Sequence, residues 1–178
     1  MLKIILIVVL AILVVFLGIV AVQPSQYRVV RGTSIQAPPA QVFSLVNDFH
    51  NWTNWSPWAK LDPSMKTTYS GSGSGPGSVY EWVGNDQVGQ GRMTITGTTP
   101  PAQVDIKLEF LKPFPSESLT TFQLRPEGAG THVEWIMSGE NGFIAKMFMM
   151  FMGGMDGAVG KDFEKGLAQM KALAEQRR

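Results

Sequence analysis

The sequence contains no cysteine and only two histidines, and it has no excess of either charge. The lack of cysteine excludes disulfides, thiolate metal sites, thiol nucleophiles and a bacterial lipid-attachment cysteine. The 15 lysines and arginines are scattered among 14 acidic residues, so the formal net charge is only +1. Without a basic block to meet phosphate groups, nucleic acid is not expected as a partner.

Catalytic and cofactor motifs are also missing. His50 and His132 have no metal-ligand or triad spacing to acidic or hydroxyl neighbours. The sequence has no P-loop, no G-x-S-x-G, no H-E-x-x-H and no G-x-G-x-x-G. We therefore predict no metal and no cofactor. A protein without enzymatic activity is favoured, although an enzyme is not excluded.

A long apolar run opens the chain. From Ile4 to Val22 there are 19 uninterrupted apolar residues, and a helix of that length spans the hydrocarbon core of a bilayer, about 30 Å. A cleaved signal peptide is the alternative, but its apolar region is usually about 7–15 residues long. Val22 and Pro24 also make poor flanks for a cleavage site. Residues 1–23 are therefore predicted to be an uncleaved signal anchor of a single-pass membrane protein.

The first part of the remaining chain predicts one strand and two short helices. Residues 27–36 have the mixed polarity of a strand, and Pro38 and Pro39 then stop it and favour a helix start. Apolar residues at helical spacing follow in the segment 42–46. A second short helix is expected through residues 50–52, and it ends near Pro57.

Between Met65 and Gly139 the apolar period changes to two, which predicts six further strands in an antiparallel meander. The stretch Val104 to Phe110 shows the pattern clearly, because apolar residues alternate there with charged ones. The glycine- and serine-rich segment 70–77 is interpreted as a mobile hairpin loop rather than an interdomain linker. From Val159 to Leu173 apolar residues recur at helical spacing, so a long C-terminal helix covers one sheet face.

Residues 24–178 thus predict a single α+β domain: a seven-stranded curved antiparallel sheet with two short helices and a long C-terminal helix. Several short motifs lie within these elements. They are Arg31 to Ile35, Ala37-Pro38, Val42-Phe43, Asp48 with the three tryptophans and Pro57, Tyr80-x-Trp82, Gly89-x-Gly91, Gly130 to Trp135, and Gly160 to Leu167.

As a set, these motifs and this order of elements resemble the START-like helix-grip superfamily (SRPBCC), and within it the bacterial polyketide cyclase/dehydrase-like proteins. The resemblance covers nearly the whole segment after the anchor. It implies a cavity between the sheet and the long helix that takes lipids, sterols, polyketides or other apolar molecules. Together with the leading position of the anchor, it also favours a domain outside the cytoplasm, in the periplasm. The flanking charges contribute little to this expectation, because Lys3 on one side of the anchor and Arg28 and Arg31 on the other nearly balance.

Large aromatic residues are the candidates for ligand contact. Trp52, Trp55 and Trp58 recur every three residues. This spacing is compatible with a hydrophobic plug that closes one end of the domain and with aromatic walls at the mouth of the cavity. The strand residues share the parity of the inner face, so they either fill the core or line a pocket, and pocket lining is favoured. The candidate ligand-binding residues are Trp52, Trp55, Trp58, Tyr80, Trp82, Met93, Phe110, Phe122, Trp135 and Met155.

The segment Met147 to Met155 holds five of the ten methionines. We interpret it as a deformable apolar lid, since thioether side chains adapt to ligands of varied shape. A Cu(I) site is less favoured because no histidine or cysteine is near, and contact with the bilayer interface beside the anchor is a third interpretation. Arg31 and Glu81 could orient a ligand, although surface strand charges are the simpler interpretation.

Three functions follow as hypotheses. The first is membrane-anchored binding of a hydrophobic or lipid-like small molecule, with the membrane and that ligand as the expected partners. The second is a cyclase or dehydrase acting on a polyketide-like substrate, which needs an acid or base inside the cavity. The third is a non-catalytic interaction module of an envelope complex. Protein partners and the ligand itself are not indicated by the sequence.

Overall fold

An apolar helix precedes the sheet. The structure is a computed structural model that describes residues 1–176. Helix α1 (Leu2–Val22) has a mean hydropathy of 3.6 and is almost entirely exposed. Within residues 1–176 it is the one helix that is long and apolar enough to cross a membrane, judged by its length and composition.

All seven predicted strands are present and form one antiparallel sheet in the order β1-β7-β6-β5-β4-β3-β2. Strands β3 to β7 each pair with their predecessor in the chain, as in a meander, and β1 pairs with β7, so that β1 and β2 are the two edge strands. Register shifts next to Gly91 and Gly97 interrupt the β4–β5 ladder and bend the sheet. The strands are β1 (Gln26–Ile35), β2 (Lys66–Ser70), β3 (Val79–Val83), β4 (Gln90–Thr99), β5 (Gln103–Lys112), β6 (Ser116–Glu127) and β7 (Gly130–Glu140).

The helices agree with the prediction at both ends of the domain, and two helices were not predicted. Helix α2 (Pro39–Val46) and a 3₁₀ helix (Phe49–Asn54) are the two short helices, and a second 3₁₀ helix (Pro57–Lys60) follows them. The methionine-rich segment, predicted only as a lid, forms helix α3 (Phe143–Phe151). The long helix α4 (Gly154–Gln176) follows. The chain breaks between the two helices at Gly153 and Gly154, which both have positive φ.

Helix α4 lies along β1 and defines the inner face of the sheet. The Arg31 guanidinium bonds to Asp156 at 2.8 Å and to Glu164 at 2.7 Å, which ties both turns of α4 to the strand. Gly160 lies between these turns, and any side chain there would collide with Arg31. Farther along, Lys171 Nζ donates to the Ser34 carbonyl at 2.8 Å. The helix therefore covers the β1 side of the sheet.

The glycine-rich segment 70–77 connects β2 to β3 inside the sheet. Its four glycines all have positive φ, between 69° and 87°, a region that other residues rarely adopt. The Gly75 amide donates to the Asn47 carbonyl at 2.9 Å, and the Gly77 amide donates to the Ile95 carbonyl at 2.8 Å. The serine and glycine alternation thus supplies turn conformations within one sheet.

Candidate functional site

The part of the inner face beneath α4 is filled by aromatic rings. Trp135 on β7 stacks on Phe163 of α4, with ring centroids 4.1 Å apart and planes 11° apart. Phe122 on β6 lies directly across from Trp135 in the ladder, with centroids 4.8 Å apart. Phe163, Phe122 and Trp135 are at most 2% exposed. These rings are packed core.

Trp52 of the first 3₁₀ helix and Trp55, the residue that follows this helix, complete the cluster. The centroids of their rings lie 4.6 Å apart. Their indole N–H groups donate to the Val46 and Leu45 carbonyls, both at 3.0 Å. These carbonyls belong to the last turn of α2, where a helix has no partners of its own. We call Trp52, Trp55, Phe122, Trp135 and Phe163 the aromatic core.

A second group of aromatic residues lies on the inner face of β2, β3 and β5, away from α4. Tyr69, Tyr80, Trp82 and Phe110 follow one another with centroids 5.3, 5.9 and 5.9 Å apart. Three of these rings are only half-buried, and Trp82 is 8% exposed. Gly91 makes this row possible because a side chain there would collide with the Trp82 ring. We call these four residues the aromatic strip.

A pocket of about 220 Å³ opens between the 3₁₀ helices and strands β2 to β4. Tyr80 belongs both to this pocket and to the aromatic strip, so the two are continuous. Apolar cavities of about 150 Å³ already take up benzene, and this one is larger. It is lined by Trp52, Thr53, Ser56, Ala59, Asp62, Pro63, Met65, Thr67, Tyr80 and Met93.

The two ionisable groups of the pocket have pKa values far from neutrality. Asp62 accepts hydrogen bonds from the Ser64 hydroxyl at 2.7 Å and from the Ser64 and Asn85 amides, which lowers its pKa. Burial, followed by the neighbouring Tyr69, raises the pKa of Tyr80 to about 12. At neutral pH the pocket therefore holds an ionised carboxylate, whose two oxygens already accept hydrogen bonds, and a neutral phenol. Neither is poised for general acid–base chemistry, which works best with a pKa near the operating pH.

The predicted ligand residues separate into three groups in the structure. Trp52, Tyr80 and Met93 line the pocket, and Trp82 and Phe110 continue along the aromatic strip. Trp58 is half-buried and nearly perpendicular to the rings of Trp135 and Phe163, and Met155 packs half-buried in the first turns of α4. Contact with a ligand remains a prediction for all of these residues.

The third group of predicted residues is Trp55, Phe122 and Trp135, which the structure places in the aromatic core instead of on the pocket wall. Their side chains lie on the same inner side of the sheet as the pocket residues, but α4 and the 3₁₀ helices pack directly against them. These three rings are at most 2% exposed.

The polar residues on and near the sheet have two different roles: two form ion pairs within the fold, and one belongs to the pocket wall. Arg31 binds α4 and Glu81 pairs with Arg92 at 2.6 Å, so both ion pairs serve the fold, as the simpler interpretation held. Asp62 was not predicted in the pocket wall, although its Asp-Pro-Ser sequence is typical of turns. In the described part of the chain, 1–176, no group of three histidine, aspartate or glutamate side chains could hold a metal ion.

The sequence of residues 26–175 matches the family described as "Polyketide cyclase / dehydrase and lipid transport". This match confirms the resemblance drawn from the motifs. A search of curated proteins found no match.

Solved structures support the same fold. An uncharacterised protein from Rhizobium leguminosarum is 17% identical, with a TM-score of 0.63, over 86% of this chain and 97% of its own. A protein from Mesorhizobium loti is also 17% identical, with a TM-score of 0.62, over 85% and 99% of the two chains. The Aha1 dimer from Colwellia psychrerythraea is 18% identical, with a TM-score of 0.59, over 84% and 96%. The helix-grip prediction is thereby confirmed.

Proposed function

The chain belongs to the polyketide cyclase/dehydrase and lipid transport family, and we propose that it binds a hydrophobic or lipid-like small molecule while α1 anchors it in a membrane. The observation that carries the proposal is the 220 Å³ pocket that continues into the half-buried aromatic strip. Small-molecule sites combine apolar walls with placed polar groups, and this pocket has both kinds of side chain in its wall.

The shape of the site favours an elongated apolar ligand. One end of such a ligand fills the pocket beside Trp52 and Met93, and the remainder lies along Tyr80, Trp82 and Phe110. Aromatic faces bind apolar chains and rings through large contact areas without requiring one exact shape. The hydroxyl groups of Thr53, Ser56 and Thr67 at the pocket wall can orient a single polar end of the ligand.

Anchoring is proposed for residues 1–23, with residues 24–178 as the ligand-binding domain outside the cytoplasm. The length and hydropathy of α1 support it, and its side chains find almost no cover within the chain. A reporter enzyme that is active only in the periplasm, fused after Arg178, is expected to be active in a bacterial host. Activity of a cytoplasmic reporter at the same position, with the periplasmic one silent, would reverse the orientation.

A cyclase or dehydrase remains the alternative within the same family. It needs a group that exchanges a proton near neutral pH, and the ionisable pocket residues Asp62 and Tyr80 have pKa values on either side of that range. Binding is therefore the function that the site supports best.

Extraction of the purified full-length protein with organic solvent, followed by mass spectrometry, tests the proposal. The variant Ala59→Phe fills the pocket, and Ala129→Phe places the same ring on an exposed turn between β6 and β7. A specific apolar compound is expected with the wild type and with Ala129→Phe, and it should be strongly depleted in Ala59→Phe. Identical lipid profiles for all three proteins would instead favour an interaction module.

A further inference from the structure

The exposed apolar residues of the domain are concentrated at one end of the sheet. We call this the anchor end: it is where β1 begins just after α1, and where β3, β5 and β7 end. After α1, the described residues include eleven large apolar side chains that are exposed. All eleven lie at or next to the anchor end, including Val83 at the end of β3 and Leu111 near the end of β5. The turns at the opposite end have none among the described residues.

Helix α3 supplies most of this apolar surface. Its sequence, FIAKMFMMF, has a single charge, Lys146, and none of its residues is buried. A helix that is apolar on all sides needs cover from protein or from lipid. Its most exposed side chains are Phe143, Ile144, Phe148 and Phe151, which are 46%, 56%, 47% and 76% exposed.

Contacts with α1 set the position of α3 relative to the anchor. Lys146 Nζ donates to the Ala21 and Gln23 carbonyls, at 3.1 and 3.0 Å, at the exit of α1. The ring of Phe151 stacks on that of Phe16 with centroids 6.1 Å apart. Phe16 lies six residues before the end of α1, which is about 9 Å along a helix axis.

These two contacts place α3 beside the last turns of α1, with Lys146 at the helix exit and Phe151 farther along the anchor. Interfacial helices bury their apolar faces about 5–10 Å into the boundary between head groups and acyl chains, which matches the depth of Phe151. Lys146 remains at the level of the helix exit, where an ammonium group can reach head groups. Phe114, in the β5–β6 connection, is 55% exposed and lies 5.4 Å from the Phe148 ring, so it extends the same surface.

We propose that α3 and Phe114 insert into the interface of the membrane that holds α1, so that the anchor end of the sheet faces the lipid. The proposal rests on the proposed anchoring by α1 and adds a second membrane contact to it. The aromatic strip ends at Phe110, two residues before the end of β5 and therefore near the anchor end. In this arrangement the end of the strip lies close to the bilayer from which an apolar ligand would come.

The cysteine-free chain allows a direct test of this arrangement. Single variants Ile144→Cys, Phe148→Cys and Phe114→Cys, made in the full-length protein, carry an environment-sensitive fluorophore. Ala129→Cys, on the exposed turn at the opposite end, is the matched control. Each protein is placed at one copy per nanodisc of phosphatidylethanolamine and phosphatidylglycerol. Quenching is measured with a nitroxide on the lipid acyl chain and with aqueous iodide.

At positions 144, 148 and 114 we expect severalfold stronger quenching by the lipid nitroxide than at position 129, together with protection from iodide. Iodide quenching equal to that at position 129, in protein that resists carbonate extraction, would overturn the proposal and leave the anchor intact. Protection from both quenchers would show cover by protein and would also overturn it. Protein released by carbonate would contradict the anchoring itself.

Discussion

The aromatic core and the aromatic strip use the same kinds of side chain on the same face of one sheet, but they differ in what lies above them. Phe122 in the core is fully buried beneath the 3₁₀ helices and close to α4, whereas Phe110 in the strip is half-buried. Trp135 stacks on a helix residue, whereas Trp82 contacts only other residues of the strip among its aromatic neighbours. Helix coverage, more than residue type, therefore separates the buried core from the partly exposed strip in this domain.

The largest expected difference is between two phenylalanines. Phe122→Ala should lower the free energy of unfolding by about 3–5 kcal/mol, since it opens a cavity in packed core. Phe110→Ala should lower it by about 1–2 kcal/mol, because less packing is lost at a half-buried site. Chemical denaturation of the two variants checks this. Equal losses would remove the distinction between the core and the strip.

A smaller effect is expected at the ion pairs that hold α4 over the core. Arg31→Met should lower the melting temperature at neutral pH. The Arg31 hydrogen bond lowers the pKa of Asp156, so its contribution is present above the ordinary value of 3.8 and is lost as the pH falls through the lower folded value. The melting temperatures of Arg31→Met and the wild type should therefore converge on acidification. A difference that is independent of pH would mean that Arg31 acts through packing alone.

The smallest effect is expected at a buried hydroxyl group on β6. Thr120 is 3% exposed, and its Oγ1 has no hydrogen-bond partner within residues 1–176. Thr120→Val keeps the shape and removes the unpaired group, so it should stabilise the protein by about 1 kcal/mol. Two residues away, Ser118 Oγ lies 2.7 Å from the Tyr27 hydroxyl, and Ser118→Ala should be destabilising. Denaturation curves in which Thr120→Val is the less stable variant would contradict the assignment.

The strands could be predicted because their signal is local. Alternation along Val104 to Phe110 identifies a strand and its buried face without knowledge of any partner. The position of α4 is not a local property. Trp82 and Trp135 have the same parity and the same chemistry, so the sequence placed both in the pocket, and only tertiary packing puts Trp135 in the core.

Two further features escaped prediction for related reasons. Helix α3 has apolar residues on all sides, so it lacks the one-sided pattern by which a surface helix is recognised. The Asp62 carboxylate is held at the pocket wall by a hydrogen bond that it accepts from the Asn85 amide, which lies 23 residues away in the chain. Such contacts depend on how the loops meet at one end of the sheet.

Binding of a fluorescent fatty-acid-like probe to residues 24–178 tests the central claim most directly. We expect this segment to be soluble and folded once α1 is removed, as circular dichroism can verify. The wild type should bind the probe saturably. Tyr80→Ala and Ala59→Phe should weaken binding severalfold at little loss of stability, and Ala129→Phe should not change it. A folded domain without saturable binding, or with binding unaffected by Ala59→Phe, would contradict a ligand site in this pocket.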